Sequence, residues 1–177
     1  MKDLLIIDLA YIAGLLDGDG SIIAQIVRRQ DYKWGFKITL TVQFTQKSNR
    51  RVYLEKLFSL LGVGFIRDRV KNQFSVSDYV ITDVKHVYAL LKALQPYLRI
   101  KQKQANLVIT LIEQLPLAKE AHQKFIQLCL IVDQVAALND CFCVTHKNKA
   151  WMCYTASNDS KNRKVTSKTV IEHFNKS

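Results

Sequence analysis

Asp17 and Asp19 flank Gly18 at the close of an apolar stretch, in the run Asp17-Gly18-Asp19-Gly20. Carboxylates that converge repel one another unless a divalent cation sits between them, so an acid here has metal chemistry only if a second acid is brought to meet it. Taken alone, Asp19 reads as a helix-terminal turn residue, and the wider pattern must decide. A second concentration of chemistry is basic. Residues 25–71 hold 11 Lys or Arg and three acids, Asp31, Glu55 and Asp68, a net +8. Arg and Lys neutralise phosphates, while Gln, Thr and Arg read base edges. A third is soft: Cys141, Cys143, His146 and Cys153 fall within 13 residues. Four such ligands can hold zinc tetrahedrally. The spacing C-x-C-x2-H-x6-C departs from standard zinc patterns, so the expectation is reduced cysteines in an irregular segment.

The elements that must position these groups follow from periodicity. Asp8 can cap a helix beginning at Leu9, with Leu9, Ile12, Ala13 and Leu16 on one face and Gly18-Asp19-Gly20 as its end. Residues 21–27 read as a strand with Ile22, Ala24 and Ile26 on one side. The clearest alternation is 36–45. Phe36, Ile38, Leu40, Val42 and Phe44 take one parity, and Lys37, Thr39, Thr41, Gln43 and Thr45 the other. That strand buries one face and presents a polar, acid-free face. Ser48 can cap a helix stopped by Gly62, with Leu54, Leu57, Phe58 and Leu61 inward. A second hairpin is predicted near 64–70 and 74–81. Helices follow near 83–94, 102–114, 117–138 (opening after Pro116) and 167–175. The order helix, hairpin, helix, hairpin, helices is an α+β layout: a four-stranded antiparallel sheet with helices on one face.

Composition bounds the rest. The 177 residues fit one domain and carry 26 Lys plus Arg against 15 Asp plus Glu, a net +11. That excess points to a polyanionic partner: DNA, RNA or anionic membrane. No apolar run approaches the ~20 residues of a spanning helix, so no membrane role is expected. Leu4 to Ile7 is too short for a signal-peptide core, and no transit peptide is expected. Four cysteines in a chain this long do not suggest a disulfide scaffold.

The nonapeptide Ile12-Ala13-Gly14-Leu15-Leu16-Asp17-Gly18-Asp19-Gly20 closely resembles the signature of the LAGLIDADG homing endonucleases, six of nine positions matching outright. Segments 21–26, 45–47, 101–106 and 136–140 resemble the single-motif branch encoded in chloroplast ribosomal-RNA introns. The resemblance covers residues 8–140 and again 159–170. It implies that family's saddle-shaped sheet. It also implies a site-specific double-strand endonuclease serving intron homing, leaving 3′ overhangs on a long pseudo-palindromic double-stranded DNA site. One motif per chain implies a homodimer through the first helix. Ala10, Gly14 and Gly18, spaced by four, let two helix backbones approach.

The resemblance further implies roles for single residues. Two Asp19 carboxylates meet near the axis and bind Mg²⁺, with Mn²⁺ as a substitute, and Gly18 offers a backbone carbonyl. Asp17 is structural, supporting helix ends at the dimer interface beside Ala10 and Gly14. Gln46, Arg50 and Lys101 form the active-site periphery. Gln46 holds a water, Arg50 a phosphate oxygen, and Lys101 offsets developing charge. DNA contacts fall on Gln25, Arg29, Tyr32, Lys37, Thr39, Gln43 and Thr45 of the first hairpin, and on Arg67, Arg69 and Asp78 of the second. Asp78 either orients the two arginines toward guanine or pairs with them as a plain surface salt bridge. Lys161, Arg163 and Lys164 face the DNA backbone.

Two features depart from the family. The second hairpin is about four residues longer around Val70 to Phe74, and an insertion lies between Asp140 and Ser160. The chain therefore divides into an endonuclease core, 1–140, and a C-terminal extension, 141–177, with the insertion and a short basic segment. The resemblance implies a protein encoded and made in the chloroplast, with no small-molecule substrate. Two alternatives stay open: an RNA maturase assisting its host intron, and a catalytically silent DNA-binding regulator.

Overall fold

The computed structural model describes residues 4–71, 74–139 and 165–175. The first helix, α1, spans Ile6–Asp19. It starts three residues before the expected Leu9. Asp8 is not its cap but lies in its first turn, where its carboxylate accepts from the Leu5 N–H at 3.2 Å. An acid there satisfies an open donor and complements the helix dipole. Ile12, Ala13 and Leu16 are buried, as the spacing predicts. The chain passes from α1 into β1, Gly20–Arg28, with no connecting residue. A Cβ on Gly20 would stand 2.5 Å from Leu16 Cδ1 and 2.8 Å from its Cα, so the junction requires glycine.

β1 pairs with β2, Phe36–Lys47, over the full expected alternation. Ile22 faces Val42, Ala24 faces Leu40, and Ile26 faces Ile38 on the buried side. Gln25 faces Thr39 and Val27 faces Lys37 on the other. β3 (Phe65–Lys71) and β4 (Phe74–Ile81) complete one antiparallel sheet in the order β1-β2-β4-β3. Of the longer turn expected around Val70 to Phe74, Val70 and Lys71 end β3, Phe74 opens β4, and residues 72–73 lie outside the described residues.

Helices cover one face. α2 spans Arg51–Leu61, with Leu54, Leu57 and Leu61 buried and Gly62 (φ 68°) ending it. Phe58, expected inward, is partly exposed and packs edge-on against Tyr79. Ser48 does not cap α2. It opens a 3-10 turn, Ser48–Arg50, and its hydroxyl lies 2.6 Å from the Ser75 hydroxyl of β4. A tertiary partner has replaced the local one. α3 (Val84–Leu94) is capped by Asp83, which accepts from the Lys85 and His86 N–H groups. α4 spans Gln102–Ala118 and α5 His122–Leu138. Pro116 therefore does not separate them; it sits in the last turn of α4. There it lacks the N–H that would donate to the Ile112 carbonyl, so the ladder loses one bond two residues before the helix ends. The Pro116 and Leu117 carbonyls are taken by the N–H groups of Lys119 and Glu120 at 3.2 and 3.3 Å.

α6 spans Ser167–Phe174, near the expected range. It docks on α5 and the sheet: the Ser167 N–H donates to Asp133 at 3.0 Å, Val170 is fully buried, and Val165 bridges to Ile26. Cys129 is buried in α5, and burial, with Asp133 nearby, pushes its thiol up to about 12. Cys141, Cys143, His146 and Cys153 lie outside the described residues.

Candidate active site and nucleic-acid interface

Asp19 is the last residue of α1, so its carboxylate stands where helix meets sheet. Gln46 belongs to the buried parity of β2, two residues past Phe44. Its side chain therefore emerges on the helix-covered side of the sheet. There its amide donates to Asp19 at 2.6 Å. Arg50 lies just beyond, in the 3-10 turn, and lines one depression with Gln46, Tyr11, Leu15 and Tyr53. A second depression of about 340 Å³ runs from Gly18, Asp19 and Gly20 onto the polar sheet face at Ser21, Gln43 and Thr45. The active-site candidates and the sheet face are thus continuous.

Lys101 reaches the same corner from the N-terminus of α4. Its ammonium donates to the Asp17 carbonyl at 2.5 Å. Burial lowers its pKa, against the attraction of Asp17 and Asp19. Asp17 turns the other way. Its carboxylate accepts from the backbone N–H groups of Arg99 (2.8 Å), Ile100 (3.2 Å) and Lys101 (2.9 Å). Burial raises its pKa, but these three donors and the Lys101 charge more than offset that, and the carboxyl is held below the usual range. Asp17 thus ties α1 to the turn that carries Lys101, a contact within one chain.

The sheet's open face carries the remaining candidates. Asp78 is fully buried on β4, opposite Thr45 on one side and Arg67 on the other. It accepts from Gln43 (3.0 Å), Thr45 (2.8 Å), Arg67 Nε (3.2 Å) and Arg69 Nη2 (2.6 Å), and from Arg69 Nε. A carboxylate with this many donors orients both guanidinium groups and is more than a surface pair. The first hairpin's far end is separate. There Arg29 pairs with Asp31 at 2.8 Å, and the Arg29 hydrogen bond lowers the Asp31 carboxyl to about 2. The Arg29 and Lys37 cations lie 5.9 and 5.4 Å from the Tyr32 ring centre. Thr39 and Gln25 stand side by side between these two ends. Lys161, Arg163 and Lys164 lie outside the described residues.

Sequence reasoning missed one network. Arg51 binds Asp68 of β3 at 2.6 Å and Glu55 at 2.8 Å, and Ser77 donates to Asp68 at 2.6 Å. It fastens the turn holding Arg50 to the second hairpin. The contact Arg51–Glu55 at i, i+4 was readable from spacing; Asp68 needed the fold.

The outward side of α1 is open. Ile6, Ile7 and Tyr11 are 72%, 74% and 61% exposed, and a Cβ added at Gly14 or Gly18 meets nothing within 4 Å. Ala10 lies on this same uncovered side. Among the described residues no group of three or more His, Cys, Asp and Glu gathers as a metal site.

The family model for LAGLIDADG endonuclease matches residues 12–114. DNA endonuclease I-CreI of Chlamydomonas reinhardtii is 49% identical over 162 residues, 92% of this chain and 85% of that protein. DNA endonuclease I-CvuI of Chlorella vulgaris is 32% identical over 131 residues, 74% and 79% of the two chains. Among solved structures, the fold matches homing endonuclease I-CvuI in complex with its target, with a TM-score of 0.77, 27% identity, and 96% and 94% coverage. The archaeal intron-encoded homing endonuclease I-Vdi141I complexed with DNA shares the fold, with a TM-score of 0.72 and 17% identity over 96% of each chain. A family match from 12 to 114 and a relative sharing half of 162 positions lead to one assignment: the chain belongs to the LAGLIDADG endonucleases.

Proposed function

We propose that two copies of this chain form a metal-dependent endonuclease that binds a long, pseudo-palindromic double-stranded DNA site and cuts both strands. The observation that carries this is the contact of Gln46 with Asp19 at the helix end, with Lys101 close by and the polar sheet opening beside it. α1 of one copy packs on α1 of the other at Ala10 and Gly14, which brings two Asp19 carboxylates together. The sheets lie in the major groove, and Gln25, Thr39, Gln43, Arg67 and Arg69 read base edges. The I-CvuI structures hold DNA in the presence of 2 mM Mg or 2 mM Ca, which supports divalent-metal use.

Asp19 and the Gly18 carbonyl are oxygen donors, which suit a hard cation, and we take it to be Mg²⁺, with Mn²⁺ as a substitute. When bound, that ion activates water and stabilises the leaving oxygen. The chain's own groups do the positioning. Gln46 orients Asp19, Arg50 holds a phosphate oxygen, and Lys101 stabilises charge developing at the scissile phosphate. The products carry 3′ overhangs. Both similar algal proteins, and the resemblance to chloroplast-intron enzymes, support intron homing in a plastid. A core of 1–140 with an extension of 141–177 fits this reading. An RNA maturase would use the same basic face but gives the Asp19–Gln46 contact no task.

The test is cleavage of a plasmid carrying an intronless chloroplast large-subunit ribosomal-RNA gene, with Mg²⁺ and with EDTA. One discrete Mg²⁺-dependent double-strand cut is expected. Tight binding with no cut under either Mg²⁺ or Mn²⁺ would identify a silent binder instead.

A further inference from the structure

The loop joining β1 to β2 stands at the opposite end of β1 from Asp19. The nine residues of β1 span about 30 Å at ~3.3 Å per residue. On the DNA-binding reading above, DNA running along that strand rises ~3.4 Å per base pair, which would set the loop over bases roughly nine pairs from the cutting centre. The loop closes on itself: Arg29 N–H to Gly35 O at 2.9 Å, Tyr32 N–H to Arg29 O at 3.1 Å, and Gly35 N–H to Tyr32 O at 2.8 Å. Those bonds shape the loop but do not set its angle to the body.

Trp34 does. Its indole N–H donates to the Ala118 carbonyl at 2.8 Å. Its ring meets His122 of α5 at 6.2 Å and Phe174 of α6 at 6.0 Å, both edge-on, and His122 and Phe174 are 5.5 Å apart. The Lys33 ammonium sits 4.5 Å over the same indole and donates to the Lys119 carbonyl at 3.1 Å. Phe36, just past the loop, packs on His173 at 5.3 Å, and Val165 pairs with Ile26 just before it. The α4–α5 turn and α6 therefore grip the loop from the side opposite its Arg29, Tyr32 and Lys37.

We infer that Trp34 and Phe174 are positioning residues: their clasp holds the β1–β2 loop in register with the outer base pairs of the site and sets discrimination there. The inference rests on the DNA-binding reading above. Ordering a loose loop on binding costs affinity, and a loop free to shift accommodates wrong bases. Neither residue is assigned a DNA contact.

The test uses full-length wild type, Trp34→Phe and Phe174→Ala, each selected in Ca²⁺ on a DNA library randomised across the whole site, with Tm recorded for each. Phe174→Ala is expected to weaken preference at the outermost positions of each half-site by roughly tenfold while inner positions hold. Trp34→Phe keeps a ring in the clasp but loses the N–H, so it should give a smaller loss at the same positions. Preference falling equally at every position, in step with Tm, would reduce the clasp to general stability and overturn the inference. So would unchanged outer preference in a folded variant. If Phe174→Ala does not fold, Trp34→Phe decides. A wild type that selects no sequence would instead refute the DNA-binding reading itself.

Discussion

At Asp19 a single carboxylate oxygen separates two readings of the protein. Asp19→Asn keeps size and polarity but removes the charge that binds a cation. The expected variant folds, dimerises and shifts DNA in a gel, yet does not linearise plasmid. Cutting at the normal rate would remove Asp19 from the chemistry. Lys101 acts on the transition state, so Lys101→Met should lower turnover by ~10²-fold and DNA affinity little. Single-turnover rates beside equilibrium binding separate the two. Because burial lowers the Lys101 pKa, its charge disappears at a lower pH than an ordinary lysine's. The alkaline decline of the cleavage rate should accordingly depend on Lys101. Asp78 shows the other use of an acid, as a buried hub that holds two guanidinium groups on the sheet face.

Among elements, α1 carries three tasks on three sides. Ile12, Ala13 and Leu16 bury against the sheet, Asp19 ends it at the site, and Ile7, Tyr11 and Gly14 face outward. Gly14→Leu meets no neighbour within the chain, so the monomer should fold with Tm nearly unchanged. A second α1 would have no room for the added side chain. Light scattering should show a monomer, and cleavage should vanish; a dimer of normal activity would place the two-fold elsewhere. The α1–α4 joint has its own pH signature. Asp17 is held below its ordinary pKa, so its contribution to stability is complete above the unfolded value of 3.8. It is lost as pH falls through the lowered folded value. Asp17→Asn should therefore be less stable near neutrality, and its Tm should fall less steeply than wild type's in acid.

On the scale of the whole molecule, charge and shape act together. The net +11 sits disproportionately on one stretch that folds into hairpins beside an acid-poor sheet face. Many phosphate contacts imply release of many counterions, so log Kd should rise linearly and steeply with log salt. A nearly flat response in a fluorescence-anisotropy titration would remove the sheet from DNA binding. The extension's end is built into this same body. α6 closes on α5 and, through Phe174, reaches the hairpin loop.

Much of this was legible in the residues alone. The alternation over 36–45 dictated both faces of β2, because strand side chains strictly alternate, and the 12–20 motif with its small residues marked the helix, its end and its family. Gly62 stopped α2 as glycine in the left-handed region does. Errors arose where a local partner was displaced by a distant one. Ser48 bonded to Ser75 instead of capping α2. Pro116 departs from expectation for a local reason: a residue that suits a helix opening sits in the last turn of α4. Periodicity could not show that Gln46 turns to Asp19 across 27 residues, that Asp17 fastens a turn 82 residues away, or that Trp34 is gripped by Ala118 and Phe174. Local pattern decides which face a side chain takes, since backbone geometry repeats. Only the packing of elements distant in sequence decides what waits on that face.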